Sequence, residues 1–308
     1  MSKGINSGLT EMIKNTVTSP QTQNDLFEAL YYKQLDGDRV QCMLCPKQCI
    51  ISKNNTGFCG VRKNISGKLY SLNYYGTTGI ALDPVEKKPL YHFHSGEMVV
   101  SLGSCGCNFS CKFCQNWQIS QNMRINLQRI TPQQLIAQTK VLGCFGIAYT
   151  YNEPFIWYEF VLCAAKLAKN NGLENIMVTN GYINQQPLKE ILPYLGAMNI
   201  DLKALDNNFY KNICQGTLEP VLETIKTVKN CCHLEVTNLI IPGLNDTDAH
   251  FVKLTDWIYT NTGEDTPLHF SRYFPCFKLK IPPTPLETLQ RAYEIAKKKL
   301  KFVYLGNV

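Results

Sequence analysis

From residue 98 onward, short apolar runs alternate with amphipathic stretches of helical period. Met98 to Leu102 reads as a buried strand bounded by Gly96 and Gly103. After a cysteine-bearing loop, the spacing predicts a helix from Pro132 to Leu142. Thr131 is its N-cap, Pro132 takes the first helical position and Gln134 closes a capping box. A strand at Phe145 to Thr150 and a helix at Phe155 to Lys169 follow, the helix ended by Asn170, Asn171 and Gly172. Further strands are predicted at Asn175 to Thr179, Ala197 to Leu202, His233 to Ile241, Leu268 to Tyr273 and Phe302 to Leu305. Helices are predicted near Pro187 to Leu192, Glu219 to Lys229, Thr247 to Tyr259 and Pro285 to Lys299. The last has Thr284 and Glu287 spaced for a second capping box. Strict alternation predicts parallel strands joined by crossovers, hence an α/β fold. Six βα repeats with a seventh strand at the end fit a partial (β/α)6 TIM-type barrel better than a full eight-stranded one. In such a barrel the chemistry lies in the loops at the C-terminal strand ends.

Residues 37–97 break this pattern with four cysteines, many glycines and few long apolar runs. They read as a small Cys-rich module stapled by metal, ahead of a core at 98–308 and behind a tail with a short helix at 1–36. Met1 to Gln23 is rich in Ser, Thr, Asn and Gln and lacks an apolar signal core. No run of about 18 apolar residues exists, so a spanning helix is not expected. A cytoplasmic location and reduced thiols are the expectation.

Fourteen cysteines are many for such a chain, and seven of them fall at 42–59 and 107–114. Reduced cysteines at short spacings indicate metal or catalysis. The others, Cys144 and Cys163 among them, are expected to be small buried hydrophobes. The formal charge of +7 would fall to about +4 with the two sets ligating clusters. The basic residues are scattered, with the densest run at Lys297 to Lys299. Charge therefore gives no reason to expect a nucleic-acid partner.

Cys107, Cys111 and Cys114 form a CxxxCxxC loop directly after a predicted strand. A 4Fe–4S cluster normally takes four thiolates. Three from one loop leave one iron open to chelate the amino and carboxylate groups of S-adenosylmethionine, whose C5′–S bond one electron then breaks. A zinc site, or an electron-transfer cluster completed by another cysteine, are the alternatives. Cys105 lies too close to Cys107 to be that fourth ligand. Cys42, Cys45, Cys49 and Cys59 fit a structural zinc or a second, fully ligated 4Fe–4S cluster. Only one knuckle of the CxxC kind is present, which favours the cluster. His92 and His94 have a spacing that suits ligands no better than an alternating strand.

The cluster loop, with Gln115-Asn116-Trp117 after it, resembles the radical S-adenosylmethionine (radical SAM) superfamily in the branch of the pyruvate formate-lyase-activating enzymes. Closer still, it resembles the radical enzyme of the AmmeMemoRadiSam system. The resemblance runs from about residue 40 to 308. It is carried by the CxxC at 42–45, Glu86 to Tyr91, the cluster loop, Tyr151 to Pro154, Asp201-Leu202-Lys203, Ile241 to Asp246 and Tyr304 to Val308. It implies a barrel of the radical SAM kind and an oxidoreductase activity. Asn152 and Glu153 would receive the ammonium of S-adenosylmethionine and Lys203 would face its carboxylate. Asn180 and Asp201 would shape the polar wall, Thr237, Leu239 and His269 would flank ribose and adenine, and Phe113 would pack over adenine or cluster. Val178 stands where relatives often carry an Asp that helps hold a monovalent cation, which argues against that cation here. Expected partners are a reductant such as flavodoxin or ferredoxin and a protein substrate bearing a glycyl radical site. The alternative is a non-catalytic iron–sulfur or zinc-binding protein with an RNA or protein partner. Reductive cleavage of S-adenosylmethionine separates the two.

Overall fold

A computed structural model describes residues 26–308. Its centre is an eight-stranded sheet whose strands lie side by side in chain order: β1 (Gly79–Pro84), β2 (Met98–Gly103), β3 (Gly146–Tyr149), β4 (Glu174–Thr179), β5 (Ala197–Asp201), β6 (His233–Ile240), β7 (Leu268–Arg272) and β8 (Val303–Gly306). From β2 to β8 every pairing is parallel. The crossovers are helices α1 (Pro132–Val141), α2 (Tyr158–Asn170), α3 (Gln185–Ile191), α4 (Glu219–Lys229), α5 (Asp248–Thr262) and α6 (Leu286–Ala296). The partial barrel of six βα repeats and a seventh parallel strand is thus present. No helix among the described residues is long and apolar enough to cross a membrane.

β1 is an addition that the sequence pattern did not predict. It pairs antiparallel with β2 over its whole length and comes from the segment assigned to the Cys-rich module. Between them, residues 85–93 cover one face of the sheet. Asn175 on β4 donates to the Ala165 carbonyl of α2, so its neighbour Ile176 points to the opposite face. There it packs with Val99, Ala148, Ala197, Val85 and Leu90, all buried. Asn199 on β5 holds this covering segment by donating to the Pro89 carbonyl at 2.7 Å.

Thr131 forms its expected capping box, accepting from the Gln134 amide at 3.2 Å while Gln134 Oε1 accepts the Thr131 amide at 2.8 Å. Thr284 does not cap α6. Its hydroxyl donates to the Ile240 carbonyl and accepts the Tyr273 amide, tying the ends of β6 and β7 together. Two buried backbone groups outcompete a cap at the surface. Cys144 is buried, but Cys163 is turned to solvent, because α2 presents Val161, Ala164, Ala165 and Ala168 to the core.

Residues 26–36 form short strands, Phe27–Glu28 and Tyr32–Leu35, where a helix was expected; the rest of that expectation lies outside the described residues. The cysteine-rich segment is two small antiparallel sheets, with Tyr32–Leu35, Arg39–Cys42 and Ile50–Ile51 in one, and Phe27–Glu28, Lys68–Ser71 and Arg62–Ile65 in the other. It rests on α2 through a buried ion pair, Arg62 to Glu159, at 2.9 Å. His92 and His94 lie in bends, His92 tilted against Phe302 and His94 stacked on Phe145, and not on an alternating strand.

Candidate active site

The loop after β2 is held by hydrogen bonds from the protein itself. Asn152, at the end of β3, accepts the Ser104 amide at 2.9 Å and donates to the Gly106 carbonyl at 3.0 Å. Gly106 has φ +85, and a Cβ there would meet the Cys59 carbonyl oxygen at 2.5 Å, so only glycine lets the loop lie against the cysteine-rich sheets. Cys107 Sγ then accepts the Phe109 amide at 3.3 Å and Asn180 Nδ2 at 3.7 Å. Cys111 is buried beside Cys214. That thiol's hydrogen bond and the Lys203 charge hold Cys111 below the ordinary thiol range, against the effect of burial. Cys114 lies 3.2 Å from the Ser120 hydroxyl. Burial pushes Cys107 well up, with the Glu153 charge adding to it.

Glu153 is buried among three donors: Thr179 Oγ1 at 2.7 Å, the Asn180 amide at 2.8 Å and the Phe155 amide at 2.9 Å. Burial nevertheless raises its pKa to about 7. Across the strand ends, Lys203 Nζ bonds Asp201 at 3.0 Å and lies 5.6 Å from the centre of the Phe113 ring, which also packs on Phe209. Asp201, Thr237 and His269 are abreast on β5, β6 and β7. Thr237 donates to Asn199 at 2.9 Å, and His269 Nε2 is 2.5 Å from Glu235, its ring stacked on Tyr304. Leu239 is half-buried, and its carbonyl accepts from Asn245.

The fold brings most of the expected residues to the strand ends around the loop, whereas His269, second in β7, packs on Tyr91 of the covering segment and on Tyr304. Cys107, Asn180 and Glu153 form one contact chain, and Cys111, Lys203, Asp201 and Phe113 form another. It gives some of them other partners than expected. Both side-chain atoms of Asn152 are engaged with the loop backbone, and His269 is tied to Glu235. Sequence reasoning passed over Asn108, which accepts from Asn180 at 2.8 Å and donates to the Tyr182 carbonyl. It also passed over Cys214, Glu235 and Asn245. A signal existed for Glu235, a lone acid within the apolar run from His233 to Ile241. None existed for Cys214, brought to Cys111 by two backbone bonds, Ser110 N to Cys214 O and Lys112 N to Ile213 O.

Cys42, Cys45, Cys49 and Cys59 line one cavity, with Arg62 and Asn108 also in its wall. Burial pushes the Cys45 thiol up and Cys59 to about 11. Cys105 points elsewhere, into an apolar contact with Val61 and Ile156. Among the described residues, no three Cys, His, Asp or Glu groups come together tightly enough for a single metal ion. Three thiols on one strand-end loop, backed by amide donors and a cation, are a donor set that suits a thiolate-bound cluster.

The sequence profile of the Radical SAM superfamily matches residues 102–258, half of the chain, from the end of β2 into α5. This chain belongs to the radical SAM superfamily. Similar relatives include an uncharacterized protein of Methanocaldococcus jannaschii, 46% identical over 286 residues, which cover 91% of this chain and 85% of that protein. The pyruvate formate-lyase-activating enzyme of Clostridium pasteurianum is 23% identical over 158 residues, half of this chain and 66% of that enzyme. A crystal structure of a radical SAM methyltransferase from Sphaerobacter thermophilus shares the fold at 14% identity, with a TM-score of 0.53 over 91% of this chain and 76% of that one. This radical SAM chain is an enzyme of the activating-enzyme-like branch, and its family implies a 4Fe–4S cluster and S-adenosylmethionine.

Proposed function

We propose that Cys107, Cys111 and Cys114 bind three corners of a 4Fe–4S cluster and that the strand ends around them hold S-adenosylmethionine. When bound, the reduced cluster supplies the electron that splits S-adenosylmethionine into methionine and a 5′-deoxyadenosyl radical, which takes hydrogen from a substrate. The observation that carries this reading is Asn180. Its amide donates to Glu153 while its side chain donates to Cys107, so one residue couples the cluster thiol to the ammonium acceptor.

In this reading the Glu153 carboxylate receives the cofactor ammonium, a charge-assisted contact in a site shielded from water. Lys203, steadied by Asp201, meets the methionyl carboxylate. Asn152 acts by holding the loop, Thr237 and Leu239 flank the ribose, His269 is positioned by Glu235, and Phe113 covers the adenine side. Cys42, Cys45, Cys49 and Cys59 hold a second metal centre. The Clostridium relative is named for activating another enzyme, which supports a protein substrate; in this reading that substrate bears a glycyl radical site, and a low-potential carrier such as flavodoxin or ferredoxin is the reductant. Anaerobically reconstituted protein given dithionite and S-adenosylmethionine is expected to release 5′-deoxyadenosine. A reconstituted, cluster-loaded protein that makes none sinks the catalytic reading.

A further inference from the structure

We propose that the four-thiol cavity is the electron entrance of this enzyme. In this inference, which rests on the function just given, Cys42, Cys45, Cys49 and Cys59 hold an iron–sulfur cluster that is reduced by an acidic, one-electron carrier protein docked over it.

Three observations meet here. First, the cavity abuts the radical site. Asn108 lines it and is the next residue after Cys107, with its Oδ1 bonded to the same Asn180 amide group that reaches Cys107. The Cys59 carbonyl packs on Gly106, the residue before Cys107. Electron transfer needs such proximity, whereas a redox-inert zinc staple would not.

Second, the cavity reaches the surface. Lys47 and Phe58 are in its wall, and the Lys47 ammonium sits 3.8 Å above the Phe58 ring. Phe58, 43% exposed, brings an apolar side chain to the surface at the cavity mouth. An apolar centre beside charged groups is the usual anatomy of a protein contact.

Third, the charge is one-sided. From residue 39 to 82 the chain carries Arg39, Lys47, Lys53, Arg62, Lys63 and Lys68 and not one Asp or Glu. Two of these cations pair with acids outside the stretch, Lys53 with Asp38 and Lys68 with Glu28, and Arg62 is buried against Glu159. The remaining excess is positive, and Lys47 places part of it in the cavity wall, which steers an acidic carrier and repels a basic one.

The step balances as single-electron transfers. The reduced carrier loses one electron to the cluster of the four thiols. That cluster returns to its oxidised level by passing the electron to the cluster at Cys107, Cys111 and Cys114, and no proton or bond is exchanged.

The test uses anaerobically purified full-length protein, with photoreduced flavodoxin as the acidic carrier and dithionite as the small reductant. Metal analysis should find about eight irons per chain and no stoichiometric zinc, falling to about four irons in Cys45→Ser/Cys49→Ser. The surface variant Lys47→Glu/Phe58→Glu should make 5′-deoxyadenosine with flavodoxin at least tenfold more slowly, with its iron content and its dithionite rate unchanged. Rising salt should slow the flavodoxin-driven reaction of the wild type and leave the dithionite-driven one alone. One zinc with four irons overturns the inference, as does a surface variant that accepts electrons from flavodoxin as fast as the wild type. A wild type that is inactive even with dithionite instead refutes the radical reading beneath it.

Discussion

Arg62 and Glu159 meet at 2.9 Å, 97 positions apart in the chain, with side-chain exposures of 2% and 0%. The pair joins the cysteine-rich sheets to helix α2, and Glu159 also accepts the Leu30 amide. Cys42 and Cys59 feel the guanidinium as well, so one cation serves both the joint and the thiol cavity.

Removing one member leaves a buried charge without its counterion. Glu159→Ala or Arg62→Ala should cost about 3–5 kcal/mol of stability in denaturant unfolding, and the double replacement Arg62→Met/Glu159→Leu much less. Singles and double that cost the same would show that the pair is not what holds the joint.

Glu153 links cofactor binding to pH. With a folded pKa of about 7 against an ordinary 4.5, the group holds its proton more tightly in the folded state. Its contribution to stability is full below pH 4.5 and declines as pH rises towards 7. A cationic ligand prefers the ionised form, so S-adenosylmethionine should bind more tightly as pH rises through that window. Calorimetry should record proton release on binding, and Glu153→Gln should remove both effects. Unchanged pH dependence in that variant rejects the assigned contact.

Asn152 is the lock of the cluster loop. Asn152→Ala strands the Ser104 amide and the Gly106 carbonyl in a buried place, at about 1–3 kcal/mol for each unmade bond. Reduced thermal stability and lower iron retention after reconstitution are the expected readouts. Wild-type iron content together with a wild-type melt would remove the loop-fixing role.

Gly106 permits the contact between loop and cysteine-rich sheets. Gly106→Ala pushes a methyl into the Cys59 carbonyl and forces an unfavourable φ, for about 1–3 kcal/mol of destabilisation. It should depress iron incorporation at both thiol sets, because the clash lies between them. Metal analysis before and after reconstitution measures this directly.

The ligand assignment separates five nearby thiols. Cys111→Ala should eliminate the S-adenosylmethionine-responsive cluster and all 5′-deoxyadenosine formation. Cys105→Ala, in its apolar contact with Val61 and Ile156, and Cys214→Ala, beside Cys111 but outside the loop, should keep the cluster signal. Loss of that signal in Cys214→Ala would redraw the ligand set.

The chain alone determined the repeating architecture, since strands covered on both faces leave short apolar runs, helices leave a period of 3.6, and caps such as Thr131 are local. It also determined the two thiol sets, because cysteines grouped within a short segment are legible as spacing. Tertiary structure decided everything that depends on groups far apart in sequence. β1 exists because β2 offers it an edge, Thr284 abandons its cap for the ends of β6 and β7, and Cys163 faces water by its angle on α2. The same is true of Arg62 on Glu159, Asn180 between Cys107 and Glu153, and Cys214 against Cys111. A buried polar group takes whichever partner the packed fold delivers, and no local pattern encodes that partner's position.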